Sequence, residues 1–309
     1  MSFTTDIKNE ISKIEYSKTE SIAELSAIIR SSYEVLGKNI EIYTENPKIA
    51  KRIYMFYKTL YGINAIIDTV KNTTFTKSTT YKVEINEKIE IILKDLSVVD
   101  KDNKYLDMPK DYITETEEDK KAYLRGIFLM KGSINDPKTS RYHLEFLFDQ
   151  KYESVFVQRL LNSFDLNSKI LMRDTKYMVY IKDSEKISDF LKLIQANIAV
   201  LYYENIRAFK EQKNNTNRLN NCEQANIEKV ITNNEKIIED IELIEEKIGL
   251  NILDDKIKEA CIYRIKYPEA SLVELSEIIS LESNTKITKS GLNHRFRKVR
   301  EIASRLKEQ

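Results

Sequence analysis

A duplicated order of secondary structure constrains a chain more than its composition does, because whatever packs one copy must also accommodate the other. In this chain of 309 residues the copies lie about one-third of the length apart. Ser21-Ile-Ala-Glu24 reads as a capping box opening the helix AELSAIIRSSY, and Thr114-Glu-Thr-Glu117 reads as the box opening a second helix through KKAYLRGIFLMKG. Leu25 and Leu124 then correspond, 99 positions apart. After each helix an alternating segment predicts a strand, Asn39–Thr44 in one copy and Tyr142–Phe148 in the other. A helix follows (Pro47–Tyr61, Tyr152–Phe164), then two strands (Ile63–Val70 with Tyr81–Ile85, Ser168–Arg173 with Tyr177–Ile181), then a closing helix (Glu87–Leu96, Ser184–Ile194). The order is helix, strand, helix, strand pair, helix, twice over. It predicts an α+β domain over 1–213, with halves at about 1–96 and 114–213.

The segment between the copies, Asp95–Asp119, holds nine acids against three lysines and reads as a solvated connection. Beyond the second copy, Asn197–Lys213 predicts a helix. The polar string KNNTNRLNNCEQAN then leads into a helical stretch, Ile227–Ile248, so that 214–252 reads as a helical linker. From Leu253 to Gln309 three helices can be placed. The first, from about Asp254 to Lys266, is ended by Pro268. Ser271-Leu-Val-Glu274 is a capping box for the second, and Ser280–Lys286 is a turn. The third begins near Thr288, and its apolar residues Leu292, Phe296, Val299, Ala303 and Leu306 form one stripe. An all-α helix-turn-helix domain is therefore expected over 253–309, its helix-turn-helix at about 271–305.

Charge is balanced overall, 50 Lys and Arg against 49 Asp and Glu, but it is segregated along the chain. Thr285–Gln309 carries eight bases against Glu301 and Glu308, whereas Asn233–Glu259 carries nine acids against four lysines. The basic tail is the footprint of a double-stranded DNA partner, and the acidic flanks would stay off phosphates. Lys289, Ser290, Asn293, His294 and Arg297 project away from the apolar stripe and are the candidates for reading base edges. Lys286, Arg295, Lys298 and Arg300 are the candidates for backbone contacts. The alternative that the residues leave open is a three-helix module whose basic surface meets an acidic protein.

Several classes drop out. Cys222 and Cys261 show no CxxC spacing, and His143 and His294 are the two histidines, so a zinc finger or a disulfide framework is excluded and metal chemistry would need carboxylates. No cofactor is implied. No apolar run approaches the roughly 18–20 residues of a membrane span, and Met1–Glu10 lacks the apolar stretch of a secretory signal, which leads us to expect a cytoplasmic, nucleoid-associated protein with no membrane partner.

The helices LSAIIRSSY (Leu25–Tyr33) and LRGIFLMKG (Leu124–Gly132) resemble the paired signature helices of LAGLIDADG homing endonucleases. That resemblance implies two helices packed at a pseudo-two-fold axis above an antiparallel saddle. Cleavage in those enzymes needs an acid near the end of each signature helix to hold divalent ions. Here the matching positions are Ser32 and Lys131, neither of them a useful ligand, with Glu34 and Asp136 as possible displaced acids. The small residues Ala27 and Gly126 would let the two helices approach closely.

Over nearly the whole chain, SFTTDIKNEI, AELSAIIR, AYLRGIFLMKGSIND, SRYHLEF, NRLNNCEQANIEK and ITKSGLNHRFRKVREIA are similar, in order, to the WhiA family of bacterial sporulation and cell-division regulators. The resemblance implies a degenerate LAGLIDADG-like domain and a helix-turn-helix similar to region 4 of sigma factors. It also implies a non-enzymatic DNA-binding transcriptional regulator of cell division and chromosome segregation, with a transcription or division protein as a further partner. An internal pseudo-dimer makes a monomer reasonable. Arg218, Asn221, Cys222 and Asn226 form the string characteristic of that resemblance, read here as side-chain hydrogen bonding at a helix junction, with Cys222 buried. The rival readings are a residual or active endonuclease and a protein-docking scaffold of the division machinery.

Overall fold

The computed structural model describes residues 2–15, 17–36, 39–71, 79–139, 141–283 and 286–308, and the side chains of 32–36 and 71 lie outside that description. The chain divides into two compact units, 1–210 and 211–309. No helix among the described residues is long and apolar enough to cross a membrane.

The duplication is visible in the first unit. One copy runs α2 (Lys18–Ser32), β1 (Tyr33–Leu36), β2 (Asn39–Thr44), α3 (Pro47–Tyr61), β3 (Ile66–Lys71), β4 (Thr79–Ile85) and α4 (Ile89–Asp95), preceded by α1 (Phe3–Ile11). The other runs α5 (Glu117–Lys131), β5 (Gly132–Ile134), β6 (Leu144–Phe148), α6 (Lys151–Asn162), β7 (Lys169–Arg173), β8 (Lys176–Ile181) and α7 (Ser184–Leu193). Each copy forms a four-stranded antiparallel sheet of the same order, β1-β2-β4-β3 and β5-β6-β8-β7. Alternation sets the buried face: Ile40 and Ile42 pair with Ile85 and Val83, and Leu144 and Phe146 with Ile181 and Val179, and all eight side chains are buried. In the second copy Phe128, Phe146 and Phe190 fill the space between helix and sheet with tilted and edge-on ring pairs.

Helices α2 and α5 pack on each other through a backbone approach that only a missing side chain permits. A Cβ on Gly126 would lie 2.5 Å from the Glu24 carbonyl oxygen and 2.8 Å from the Ala27 Cβ. At this junction sits a buried ionic cluster. Arg125 Nε donates to Glu24 Oε2 at 2.8 Å, and Arg52 Nη2 donates to the same oxygen at 2.9 Å. Arg52 Nε donates to the other carboxylate oxygen, and its Nη1 donates to the carbonyls of Ile14 and Ser12, so that one carboxylate ties α2 to α3 and α5 and orders the turn before α2.

The structure moves both predicted capping boxes. Helix α2 begins at Lys18, where Ser17 and Glu20 exchange the reciprocal hydrogen bonds, because Glu24 is drawn into the ionic cluster and Ser21 lies inside the helix. Helix α5 is capped by Thr116 with Asp119, since residues 111–114 are taken up by a 3-10 turn. The edge strands β1 and β5, which follow each signature helix directly, and helix α1 go beyond the elements the sequence predicts. The connection 95–119 is more than solvated chain. Ser97, Val98, Val99 and Ile113 are buried, and Arg30 donates to the carbonyls of Ser97, Leu106 and Asp107.

The polar string after 213 does not interrupt the chain, which continues as a single helix, α8 (Asn197–Lys247). Asparagine lowers helix propensity but the string contains neither Pro nor Gly, so no residue in it breaks the backbone ladder. Residues 211–229 are exposed throughout. There is accordingly no junction for Arg218, Asn221, Cys222 and Asn226 to fix, and Cys222 is exposed, with Asn226 one turn on against its sulfur.

Two outcomes follow for thermal denaturation of the full chain. Gly126→Ala forces α2 and α5 apart and lowers stability by about 1–3 kcal/mol. Glu24→Ala removes the carboxylate shared by two buried guanidinium groups, leaving Arg125 only the Glu20 carboxylate at 3.9 Å, and costs about 3–5 kcal/mol. A melting temperature unchanged in either variant would refute the corresponding contact.

Candidate nucleic-acid interface

The second unit builds its core from the end of α8 and three further helices, α9 (Asp255–Lys266), α10 (Leu272–Glu282) and α11 (Lys289–Lys307). Ile237, Ile241 and Ile244 of α8 are fully buried against Leu275, Ile279, Leu292, Phe296, Val299 and Ala303. The stretch read as a linker thus ends as a wall of the helix-turn-helix core, which requires its apolar residues three and four apart. Ser271 and Glu274 form the predicted capping box of α10, and Thr288 caps α11 by accepting from the Gly291 N–H at 3.2 Å. Residues 284 and 285 of the predicted turn lie outside the described residues.

The loop between α9 and α10 is held by buried polar groups. Arg264, fully buried, donates through Nη1 to the carbonyls of Tyr267, Pro268 and Ala270, and its guanidinium lies 5.5 Å from the centre of the Phe296 ring. Asn234 of α8 donates to the carbonyls of Pro268 and Ala270 as well. Burial pushes the Cys261 thiol up to about 12, so this cysteine stays a neutral core residue.

With the apolar stripe of α11 inward, its other faces are free. Lys289, Ser290, Asn293, His294, Arg297, Lys298 and Arg300 are exposed, and Lys286 is exposed in the segment before the helix. At about 100° per residue, Ser290, His294, Arg297, Glu301 and Arg305 lie along one stripe, with Lys289, Asn293 and Arg300 along the next. Within the first stripe Arg297 Nη2 lies 3.2 Å from His294 Nδ1 and Arg297 Nε lies 3.8 Å from Glu301. Arg295 is set apart from the others. It flanks the buried stripe on the side of α9, is 16% exposed in its side chain, and donates to Glu259 at 3.1 Å. Lys307 pairs with Asp240 of α8 at 2.9 Å. The exposed set offers guanidinium, ammonium, amide and hydroxyl groups on a helix narrow enough for a major groove.

In the first unit the side chains of Ser32 and Glu34 lie outside the described residues, although the register places Glu34 opposite Glu41. Lys131 ends α5 with its ammonium 3.5 Å from Asp149, which also takes Lys176 at 3.3 Å. Burial would raise the Asp149 carboxyl, but Lys131 and Lys176 outweigh it and hold the group below the ordinary range. Asp136 accepts from the Lys138 N–H and from the Tyr202 hydroxyl, a turn-forming role. Among the described residues no group of three or more His, Cys, Asp or Glu side chains is arranged to hold a metal ion.

A duplicated LAGLIDADG-like domain followed by a helix-turn-helix domain defines the class, and comparison with known proteins agrees. Residues 18–99 match the WhiA N-terminal LAGLIDADG-like domain, residues 120–213 the WhiA LAGLIDADG-like domain, and residues 216–303 the WhiA C-terminal HTH domain. The chain is 40% identical to the "Probable cell division protein WhiA" of Bacillus cytotoxicus, over 99% of this chain and 98% of the relative. It is 38% identical to the protein of that name from Lactobacillus gasseri, over 100% and 99%. The crystal structure of full-length WhiA from Thermatoga maritima covers 99% of each chain with a TM-score of 0.59 at 22% identity, a likeness of fold. The chain belongs to the WhiA family.

Because the folded-state pKa of Asp149 is depressed, its contribution to stability is present above the unfolded carboxyl value and is lost as the pH falls through the folded one. Lys131→Ala should move the Asp149 carboxyl back up toward the usual range in an NMR titration. An unmoved Asp149 would show that Lys131 is not its partner.

Proposed function

We propose that this chain is a non-catalytic, double-stranded-DNA-binding regulator of transcription, acting on genes of cell division and chromosome segregation. The observation that carries the reading is α11, whose apolar stripe is buried while its polar and cationic faces are exposed. Base readout is assigned to Lys289, Ser290, Asn293, His294 and Arg297, and phosphate contacts to Lys286, Lys298 and Arg300. Arg295, a phosphate candidate from the sequence, is engaged with Glu259 and takes a structural part. The first unit is assigned no chemistry, since Lys131 presents a cation where a metal-binding acid would be needed and Asp136 is engaged in a turn. A cell-division role rests on the names carried by the relatives. We place the protein on the nucleoid in the cytoplasm, as a monomer, with a transcription or division protein as a further partner.

Fluorescence anisotropy with operator duplexes, selected by occupancy mapping in cells, tests the reading. The three assigned phosphate contacts give a slope of log affinity against log salt of about −3. Arg297→Ala or Asn293→Ala should cost about 1–3 kcal/mol on the operator and relax discrimination at one base pair, whereas Lys298→Ala weakens all duplexes alike. Arg295→Ala should lower thermal stability with little change in affinity. A flat salt dependence sinks the proposal, and Mg²⁺-dependent nicking of supercoiled plasmid would restore the endonuclease reading.

A further inference from the structure

Between α3 and the connection from α1 to α2, the first unit carries a groove of about 810 Å³. Its floor is apolar, made by Ile14, Phe56, Leu60 and Met55, the last 43% exposed. Its rim is cationic on both walls. Lys13 and Lys18 come from the connection and the start of α2, and Lys48 and Lys51 from the first turns of α3, against a single lining acid, Glu15. None of these four lysines is ion-paired with a carboxylate among the described residues. Lys48, Lys51, Met55 and Thr59 recur at intervals of three and four and so share one exposed face of α3. Arg52, at the base, is already bound to Glu24 and to the carbonyls of Ser12 and Ile14, and it stiffens the wall.

We propose that this groove docks an amphipathic helix of a partner protein, apolar along its ridge and acidic along both flanks. The apolar floor requires a hydrocarbon ridge, presented by a helix at positions i, i+3 or i+4, and i+7. The lysines on either side require carboxylates at the edges of that ridge, and the unbranched side chain of Met55 adapts to what it meets. A DNA backbone would satisfy the lysines alone and leave the floor uncovered, so the protein partner is favoured over the nucleic acid. The inference stands apart from the role assigned to α11, because it uses no residue of the second unit.

The probe is a fluorescein-labelled designed peptide with leucines at helical spacing flanked by glutamates, titrated with the full-length chain, beside a scrambled peptide of the same composition. The patterned peptide should bind with micromolar affinity and the scrambled one at least about tenfold more weakly. Met55→Glu and the pair Lys48→Glu with Lys51→Glu should each weaken binding by about tenfold or more, and Arg297→Ala should leave it unchanged. Circular dichroism confirms that each variant is folded, and Met55→Gln replaces Met55→Glu if the latter is not. Failure of the patterned peptide to bind, equal binding of the scrambled peptide, or indifference to Met55 overturns the proposal. So does displacement of the peptide by a duplex whose own binding is lost with Lys48→Glu and Lys51→Glu, since that would assign the rim to phosphates.

Discussion

The first unit depends on one carboxylate shared by two guanidinium groups at the closest approach of its central helices. Glu24 is fully buried, as is Arg125, and Arg52 is nearly so. Each charge has left water, a transfer that only dense pairing offsets. Such a cluster is a poor source of net stability, because an apolar trio of equal volume could replace it at little loss. What it does provide is specificity. If the packing slid along the helices, Glu24 would leave both cations stranded, so the one register in which Gly126 faces the Glu24 carbonyl is also the register that satisfies all three charges.

The cluster also distinguishes the copies. With Leu25 opposite Leu124 in the repeat, Glu24 corresponds to Tyr123 and Arg125 to Ser26. The two partners therefore come from non-equivalent positions, and neither half contains the pair by itself. Tyr123 is buried instead against Phe156, and Ser26 donates to the Leu96 carbonyl, holding the start of the inter-copy connection. Two copies of either half could pack small residue to small residue, but they could not reproduce this ionic contact. The duplication supplies the architecture, and divergence at these positions commits the halves to each other.

Much of this was legible in the residues. Strand β2 and helix α3 lie where alternation and 3.6-residue spacing put them, and the stripe Leu292, Phe296, Val299, Ala303 is buried as its period demands. What escaped reading falls into two kinds. Short elements carry too few residues to establish a period: β5 is Gly-Ser-Ile, and β1 runs on from a helix with no turn residue to announce it. Helix α1, by contrast, had a readable signal in Phe3, Ile7 and Ile11. Long-range pairing left no local trace. Arg295 looks like its neighbours in a basic run; its place on the helix, flanking the buried stripe, and Glu259 of α9 beside it separate it from Lys298 and Arg300. The Thr114 and Thr116 boxes are equally good as strings, and the choice between them was made by the 3-10 turn that uses up residues 111–114.

The second unit spends its buried polar groups differently, on a loop instead of a helix pair. Arg264 and Asn234 converge on the carbonyls of Pro268 and Ala270, and Arg264 also lies against Phe296, in the middle of the stripe that seats α11. The loop that sets the entry of α10 and the helix that carries the exposed cations are thus referred to one side chain. On the proposed reading such fixing favours binding, since groups already held in place lose less conformational freedom when a partner arrives. On the surface of α11, His294 and Glu301 flank the exposed guanidinium of Arg297. Glu301 also places a negative charge within the cationic stripe, 3.8 Å from Arg297. On the proposed reading, an acid in that position would weaken binding to polyanions in general more than to a duplex that offers Arg297 a base edge.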